Sequence, residues 1–138
     1  MTRHHTKEKG DLGVLKAQVD LHQKGYQILT PLSEHSPFDL VVYKNSDFKR
    51  VQVKYKSVGK NGALQLYFRT CWADKHGTHR RPIDKFEVDV FCVYCPDTDE
   101  CYYFDPKRFS RSIALRVKAP KNNQRVGINS LADFRRVP

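Results

Sequence analysis

The sequence predicts a single α/β domain in which an N-terminal helix leads into a mixed β-sheet with flanking helices. Three observations carry that reading. Apolar residues recur at near-helical spacing through Leu12, Leu15, Val19 and Leu21, and the pattern stops at Gly25, where a helix end favours a residue free to turn left-handed. Val88-Asp89-Val90-Phe91-Cys92-Val93-Tyr94-Cys95 is almost continuously apolar, as a strand covered on both faces must be. The remaining apolar segments are short, rich in β-branched and aromatic residues, and separated by turn formers.

In chain order, a helix is expected over Lys7–Lys24, a first strand over Tyr26–Thr30, a second over Phe38–Tyr43 and a third over Lys49–Ser57. Asn61-Gly62 is a tight-turn dipeptide and is expected to fold the third strand back into Ala63–Phe68 as a hairpin. A polar loop and a short helical piece over Ile83–Glu87 precede the buried run, which the turn Pro96–Glu100 joins to a strand over Cys101–Phe104. Pro106–Ser110 reads as a helical turn, and Ile113, Leu115 and Val117 alternate as a last strand. After a loop over Ala119–Arg125, Asn129 or Ser130 is expected to cap a short C-terminal helix. No repeat or linker divides the chain, so residues 1–138 form one domain, with 119–138 as a basic C-terminal extension.

Lys and Arg number 25 against 15 Asp and Glu, a formal charge of +10, which points to a polyanionic partner. With 39% hydrophobic residues the chain can bury a real core and is not a disordered basic tail. No run approaches the roughly 18 apolar residues of a membrane span. Met1-Thr2-Arg3-His4-His5 is followed by no apolar signal segment, so no membrane partner and a cytoplasmic location are expected. Cys92-x-x-Cys95, with Cys101, His76 and His79, invites a zinc reading. The apolar run around the first two favours instead thiols that pack as small hydrophobes and stay free in a reducing compartment.

Chemistry is concentrated between Pro37 and Lys54. Asp39 lies at the end of one expected strand, and Val51-Gln52-Val53-Lys54 lies on the next. Because strand side chains alternate, Gln52 and Lys54 share one face while Val51 and Val53 enter the core. An acid, an amide oxygen and a lysine can therefore converge as the catalytic residues of a metal-dependent phosphodiesterase. Asp39 and Gln52 would supply oxygen to Mg²⁺, and Lys54 a cation to place a water or offset phosphate charge. The competing reading is a cross-strand ion pair between Asp39 and Lys54 on a solvated sheet face.

Taken together, Lys9-Gly10-Asp11-Leu12-Gly13, Lys24-Gly25-Tyr26, Ser36-Pro37-Phe38-Asp39-Leu40-Val41, Arg50-Val51-Gln52-Val53-Lys54 and Val93-Tyr94-Cys95-Pro96-Asp97-Thr98-Asp99 resemble the PD-(D/E)xK nuclease superfamily. Within it they are most similar to the group I intron-encoded homing endonucleases. The resemblance runs from about Thr6 to Val117 and implies a restriction-endonuclease-like core, Mg²⁺-dependent cleavage of double-stranded DNA at a long site, and a homodimer or homotetramer, a dimer of dimers. It also implies a metal held by Asp39, Gln52, the Val53 carbonyl and the phosphate. Two positions depart from the family pattern: Gln52 stands where a second acid is usual, and Val14 where relatives carry a helix acid. Asp11, one turn earlier on the same face, is the expected replacement as a catalytic and metal-binding residue, with Glu8 behind it. Alternatives on the same core are a Holliday-junction resolvase or a restriction-type nuclease; from another class comes a catalytically inactive DNA-binding protein.

An active site that grips phosphates cannot read sequence, so recognition must come from elsewhere. Lys56, Lys60 and Asn61 of the expected hairpin, Gln65, Tyr67 and Arg69 of its returning strand, and Trp72, Lys75, His76, His79, Arg80 and Arg81 of the following loop are the DNA-binding candidates. Lys118, Lys121, Asn122, Asn123, Gln124 and Arg125 are second-rank candidates for backbone phosphates.

Overall fold

The structure is a computed structural model that describes residues 5–117 and 129–138, with backbone alone at 70–73 and 129–132. Its N-terminal helix, α1, spans His5–Gln23. The helix ends as the sequence requires. Gly25 takes φ +89°, and the Gly25 and Tyr26 N–H groups donate to the carbonyls of His22 and Leu21 at 3.0 and 3.1 Å, the paired bonds of a Schellman cap.

The buried face of α1 is not the one its leucines suggest. Gly13, Ala17 and Leu21 face the sheet, with Val14 beside them, while Leu12, Leu15 and Val19 are 39%, 58% and 56% exposed. Small residues win that face because the helix lies close to the strand beneath it: a Cβ on Gly13 would sit 3.5 Å from the Tyr55 Cβ.

Five strands form the main sheet: β1 (Gln27–Leu29), β2 (Leu40–Lys44), β3 (Asp47–Tyr55), β7 (Val90–Cys95) and β8 (Glu100–Phe104), in the order β1-β2-β3-β7-β8. β3 and β7 run parallel and the other pairs antiparallel, so the sheet is mixed as expected. Asn45 and Ser46, both at positive φ, close the two-residue turn between β2 and β3. Every residue of β7 is buried, because α1 covers one face of the sheet and a second sheet covers the other.

That second sheet has the order β10-β9-β4, built from β4 (Ala63–Tyr67), β9 (Ser112–Arg116) and β10 (Asn129–Ser130). Leu64, Leu66, Ile113 and Leu115 point from it onto Phe91, Val93, Tyr102 and Phe104. Phe91 is fully buried and stacks on Phe104 with centroids 5.4 Å apart, a burial worth about 1.5–3 kcal/mol.

Four expectations need correction. Asn61-Gly62 does turn, with Gly62 at φ +77°, but β4 pairs with β9 and not with β3. β3 is already bonded by β2 on one side and β7 on the other, so it has no edge to offer. The expected polar loop over Trp72–Arg81 is instead a two-stranded ribbon, β5 (Arg69–Asp74) with β6 (Gly77–Pro82). Ile83–Glu87 is no helix: Asp84 accepts the Phe86 N–H at 2.9 Å and makes a turn. The expected C-terminal helix is a single 3₁₀ turn, Leu131–Phe134, which lays Phe134 against Phe104 and Phe109, so this part of the basic extension returns to the core. α1 is the one α-helix among the described residues, and it is not apolar enough to cross a membrane. Cys92, Cys95 and Cys101 are buried free thiols within β7 and β8.

Candidate active site

Pro37 breaks the ladder before β2, and Asp39 stands at the resulting strand mouth. Its backbone N–H donates to Val51 O at 2.9 Å, and its Oδ2 accepts the Val53 N–H at 2.7 Å, so the side chain substitutes for a strand carbonyl. The carboxylate is thereby fixed beside the stretch of β3 that carries Gln52 and Lys54. Val51 and Val53 are buried under α1, and Gln52 and Lys54 alternate onto the opposite face, as the spacing predicts.

The electrostatics set this cluster apart from an ordinary ion pair. Lys54 makes no salt bridge with Asp39, although its charge is near enough to act on the carboxylate. Much of residue 39 faces solvent, yet the oxygen held by Val53 lies among strand backbone. Desolvation there raises the carboxyl pKa above its usual 3.8, outweighing the Val53 hydrogen bond and the Lys54 charge, which both lower it. Gln52 Oε1 is buried and has no hydrogen-bond partner among the described residues. An amide oxygen left so costs about 1–3 kcal/mol, and such orphans concentrate where a group from outside the chain completes them.

Gln52 lines a cleft of about 280 Å³ with Pro37, Arg81, Asp84 and Glu87. Beside it on β3, Arg50 grips Asp89 with Nε and a terminal nitrogen at 2.9 and 3.0 Å, and the Asp89 carboxylate also takes the Arg50 N–H at 2.8 Å. The Arg50 guanidinium holds the Asp89 carboxyl below its usual pKa. Sequence reading passed over this clamp; the visible signal was one acid inside an otherwise apolar run.

Asp11 and Glu8 both lie exposed on α1. Gly13 and Lys9, whose ammonium is 5.9 Å from the Tyr55 ring centre, bring the first half of α1 over the end of β3 that carries Lys54. Asp11 is the nearer of the two to Val14 around the helix, and Glu8 is turned further toward solvent. Neither is bonded to Asp39 or Lys54 by a described contact.

The DNA-binding candidates divide into three groups. Lys56 and Lys60 are exposed, and Asn61 Oδ1 accepts the Ala63 N–H at 3.2 Å. Gln65 and Tyr67 lie on the outer face of β4, and the Arg69 guanidinium stacks 4.3 Å over Tyr67. Lys75, His76, Arg80 and Arg81 are exposed on the ribbon, while His79 is held to Asp74 at 2.9 Å; Trp72 pairs with His79 through the backbone, and its side chain lies outside the described residues. Lys118 and 121–125 also lie outside them.

Among the described residues no three His, Cys, Asp or Glu side chains gather as metal ligands. A metal at Asp39 would therefore depend on one carboxylate, the Gln52 oxygen and substrate. Mg²⁺ is commonly held in that way, by one or two carboxylates plus phosphate oxygens, and the orphaned Gln52 Oε1 fits such a role.

Comparison with known proteins agrees with this architecture. A solved bacterial homing endonuclease, I-Ssp6803I, superposes with a TM-score of 0.78 at 21% identity, over 96% of this chain and 89% of that one. No curated protein sequence matches the chain. The family model for PD-(D/E)XK endonucleases matches residues 4–137, and the chain belongs to that family. It is accordingly an endonuclease, of a family that generally depends on a divalent metal.

Proposed function

We propose that the chain is an Mg²⁺-dependent, site-specific endonuclease of double-stranded DNA, of the homing type, acting as a homodimer or dimer of dimers. The observation that supports the reading most is the Gln52 oxygen on β3, buried with no hydrogen-bond partner among the described residues, one residue along from Val53, whose N–H holds Asp39 within range of the Lys54 charge. Mg²⁺ at Asp39, Gln52 and the Val53 carbonyl would supply Lewis-acid polarisation of the scissile phosphate. The Val53 N–H fixes one Asp39 oxygen, which supports this role. Lys54 orients the attacking water and offsets the charge that builds on the phosphate. Asp11 is the preferred helix acid and Glu8 the second choice.

The charge of +10 and the exposed ribbon support a duplex substrate, with Gln65, Arg69 and the ribbon residues Trp72, Lys75, His76, Arg80 and Arg81 against DNA. One chain carries one such cluster and two strands must be cut, which supports at least a symmetric pair. Incubating the protein with a randomised duplex library and Mg²⁺ and sequencing the ends tests the reading. Discrete cleavage junctions are expected; intact DNA, or cutting confined to four-way junctions, would overturn it.

A further inference from the structure

A second cavity, of about 530 Å³, opens at the root of the ribbon. Phe68, Pro82 and Ile83 give it an apolar wall, and Tyr67 stands at its rim with the Arg69 guanidinium stacked on the ring. The walls are tied together: Phe68 N–H donates to Arg111 O at 3.0 Å, and Ile83 N–H to Phe68 O at 3.1 Å. The ammonium of Lys85 is bonded to the carbonyls of Phe109 and Ser110 and lies 4.8 Å from the Phe68 ring centre. The cavity is thus preformed. Arg80, Arg81 and Arg111 add to its positive charge, and among the described residues no carboxylate lines it.

Cations alone would suit the phosphates of a groove-bound duplex. A concave apolar wall beside a stacked guanidinium suits something more: a flat aromatic ring carrying a phosphate, within the about 300–1,000 Å³ range of small-ligand sites. The cavity also shares Arg81, Pro82 and Ile83 with the cleft that Gln52 lines, so its occupant would lie next to that cleft. We propose that this cavity receives one unpaired nucleotide of the bound DNA, its base against Tyr67, Arg69 and Ile83 and its phosphate against Arg111 and Arg81. The source of the nucleotide rests on the nuclease reading above.

A paired duplex must unstack a base to fill the cavity, whereas a duplex with one bulged thymine has already done so. Anisotropy titrations in EDTA, with fluorescein-labelled duplexes of one mixed sequence with and without the bulge, should give about tenfold tighter binding of the bulged form. Tyr67→Ala and Arg111→Ala should each abolish that preference. Equal affinities for both duplexes in the unaltered protein would reduce the cavity to a phosphate-contacting surface and overturn the proposal. Free thymidine 5′-monophosphate binding as tightly as the bulged duplex would make it a site for a soluble nucleotide and overturn it too. Digestion of the randomised duplex library in Mg²⁺ keeps the two readings apart: discrete junctions without bulge preference in the titrations refute the cavity's role alone, and bulge preference with an uncut library refutes the nuclease alone.

Discussion

Replacing Asp39 by Asn separates what the carboxylate does for the fold from what it does for the reaction. The Asn carbonyl can still accept the Val53 N–H, now bonded to Oδ2 at 2.7 Å, so the strand mouth should stay closed. What disappears is one negative charge. Burial raises the Asp39 pKa above 3.8 in the folded chain, so the folded state holds its proton more tightly than the unfolded one, and stability falls as pH rises through that window. At neutral pH the ionised carboxylate is therefore a mild burden on folding, and without metal Asp39→Asn should melt between 0 and about 3 °C higher than the unaltered protein. Cleavage should fall about a hundredfold or more, equivalent to about 2.7 kcal/mol of transition-state stabilisation, because a principal carboxylate of the proposed metal site is gone. Added Mg²⁺ should raise the melting temperature of the unaltered protein and leave that of the variant in place. Supercoiled-plasmid nicking and circular-dichroism melts with and without Mg²⁺ make both measurements. A folded variant that cuts within about threefold of the original rate, or one that melts more than about 5 °C lower, would refute the reasoning.

Gln52→Glu should lower the Mg²⁺ concentration for half-maximal rate, since a carboxylate binds a hard cation better than an amide oxygen; an unmoved or higher half-point would count against Gln52 as a ligand. Asp11→Asn should abolish cleavage while sparing DNA binding, and Glu8→Gln should be much milder; the reverse order, seen in rates at saturating Mg²⁺, would assign the helix acid to Glu8. Gly13→Ala should stabilise by about 0.5–1 kcal/mol in denaturant titration, because the added methyl meets the Tyr55 Cβ at an ordinary 3.5 Å while the helix loses a glycine; a destabilised variant would show that α1 tolerates no bulk there. Arg69→Ala and Gln65→Ala should each cost about 1–3 kcal/mol at the cognate site and relax preference at particular base pairs, whereas Arg80→Ala or Lys60→Ala should weaken all sequences and flatten the salt dependence. Titrations against cognate and scrambled duplexes at two salt concentrations distinguish these patterns.

The placement of the candidate site's strand residues was legible because its signals are local. Asp39 before β2 and Gln52 and Lys54 on β3 need only strand alternation and one hairpin to be brought together, and both are written in consecutive residues. The position of β4 was not legible, because Asn61-Gly62 looks the same whether the chain returns to β3 or departs; the occupied edges of β3 decide, and those depend on β7, almost forty residues on. The ribbon was not legible because β6, Gly77–Pro82, has no apolar alternation and is almost wholly exposed, so its half of the pairing gave no strand signal. On α1 the leucines misled, since closeness of approach selected Gly13 and Ala17 for the covered side. The cationic cavity draws on four separated segments and has no contiguous signature at all.

The parallel pairing of β3 and β7 has a further consequence. The chain leaves β3 after Tyr55 and re-enters beside it at Val90, and the detour is fastened at both ends, by Lys56 N–H on Tyr94 O at 3.0 Å and by Asp89 N–H on Arg50 O at 2.9 Å. Within the detour Leu64, Leu66 and Phe68 belong to the core, but from Asp74 to Arg81 nothing is buried. Evolution could rewrite the outermost part of that tip, from Asp74 to His79, in length as well as letters, without disturbing the core or the strands that carry Asp39, Gln52 and Lys54. The same geometry gives an engineer a defined graft point: on the proposed function, cassettes exchanged between Ala73 and Arg80 would change the DNA contacts and leave β2 and β3 in place.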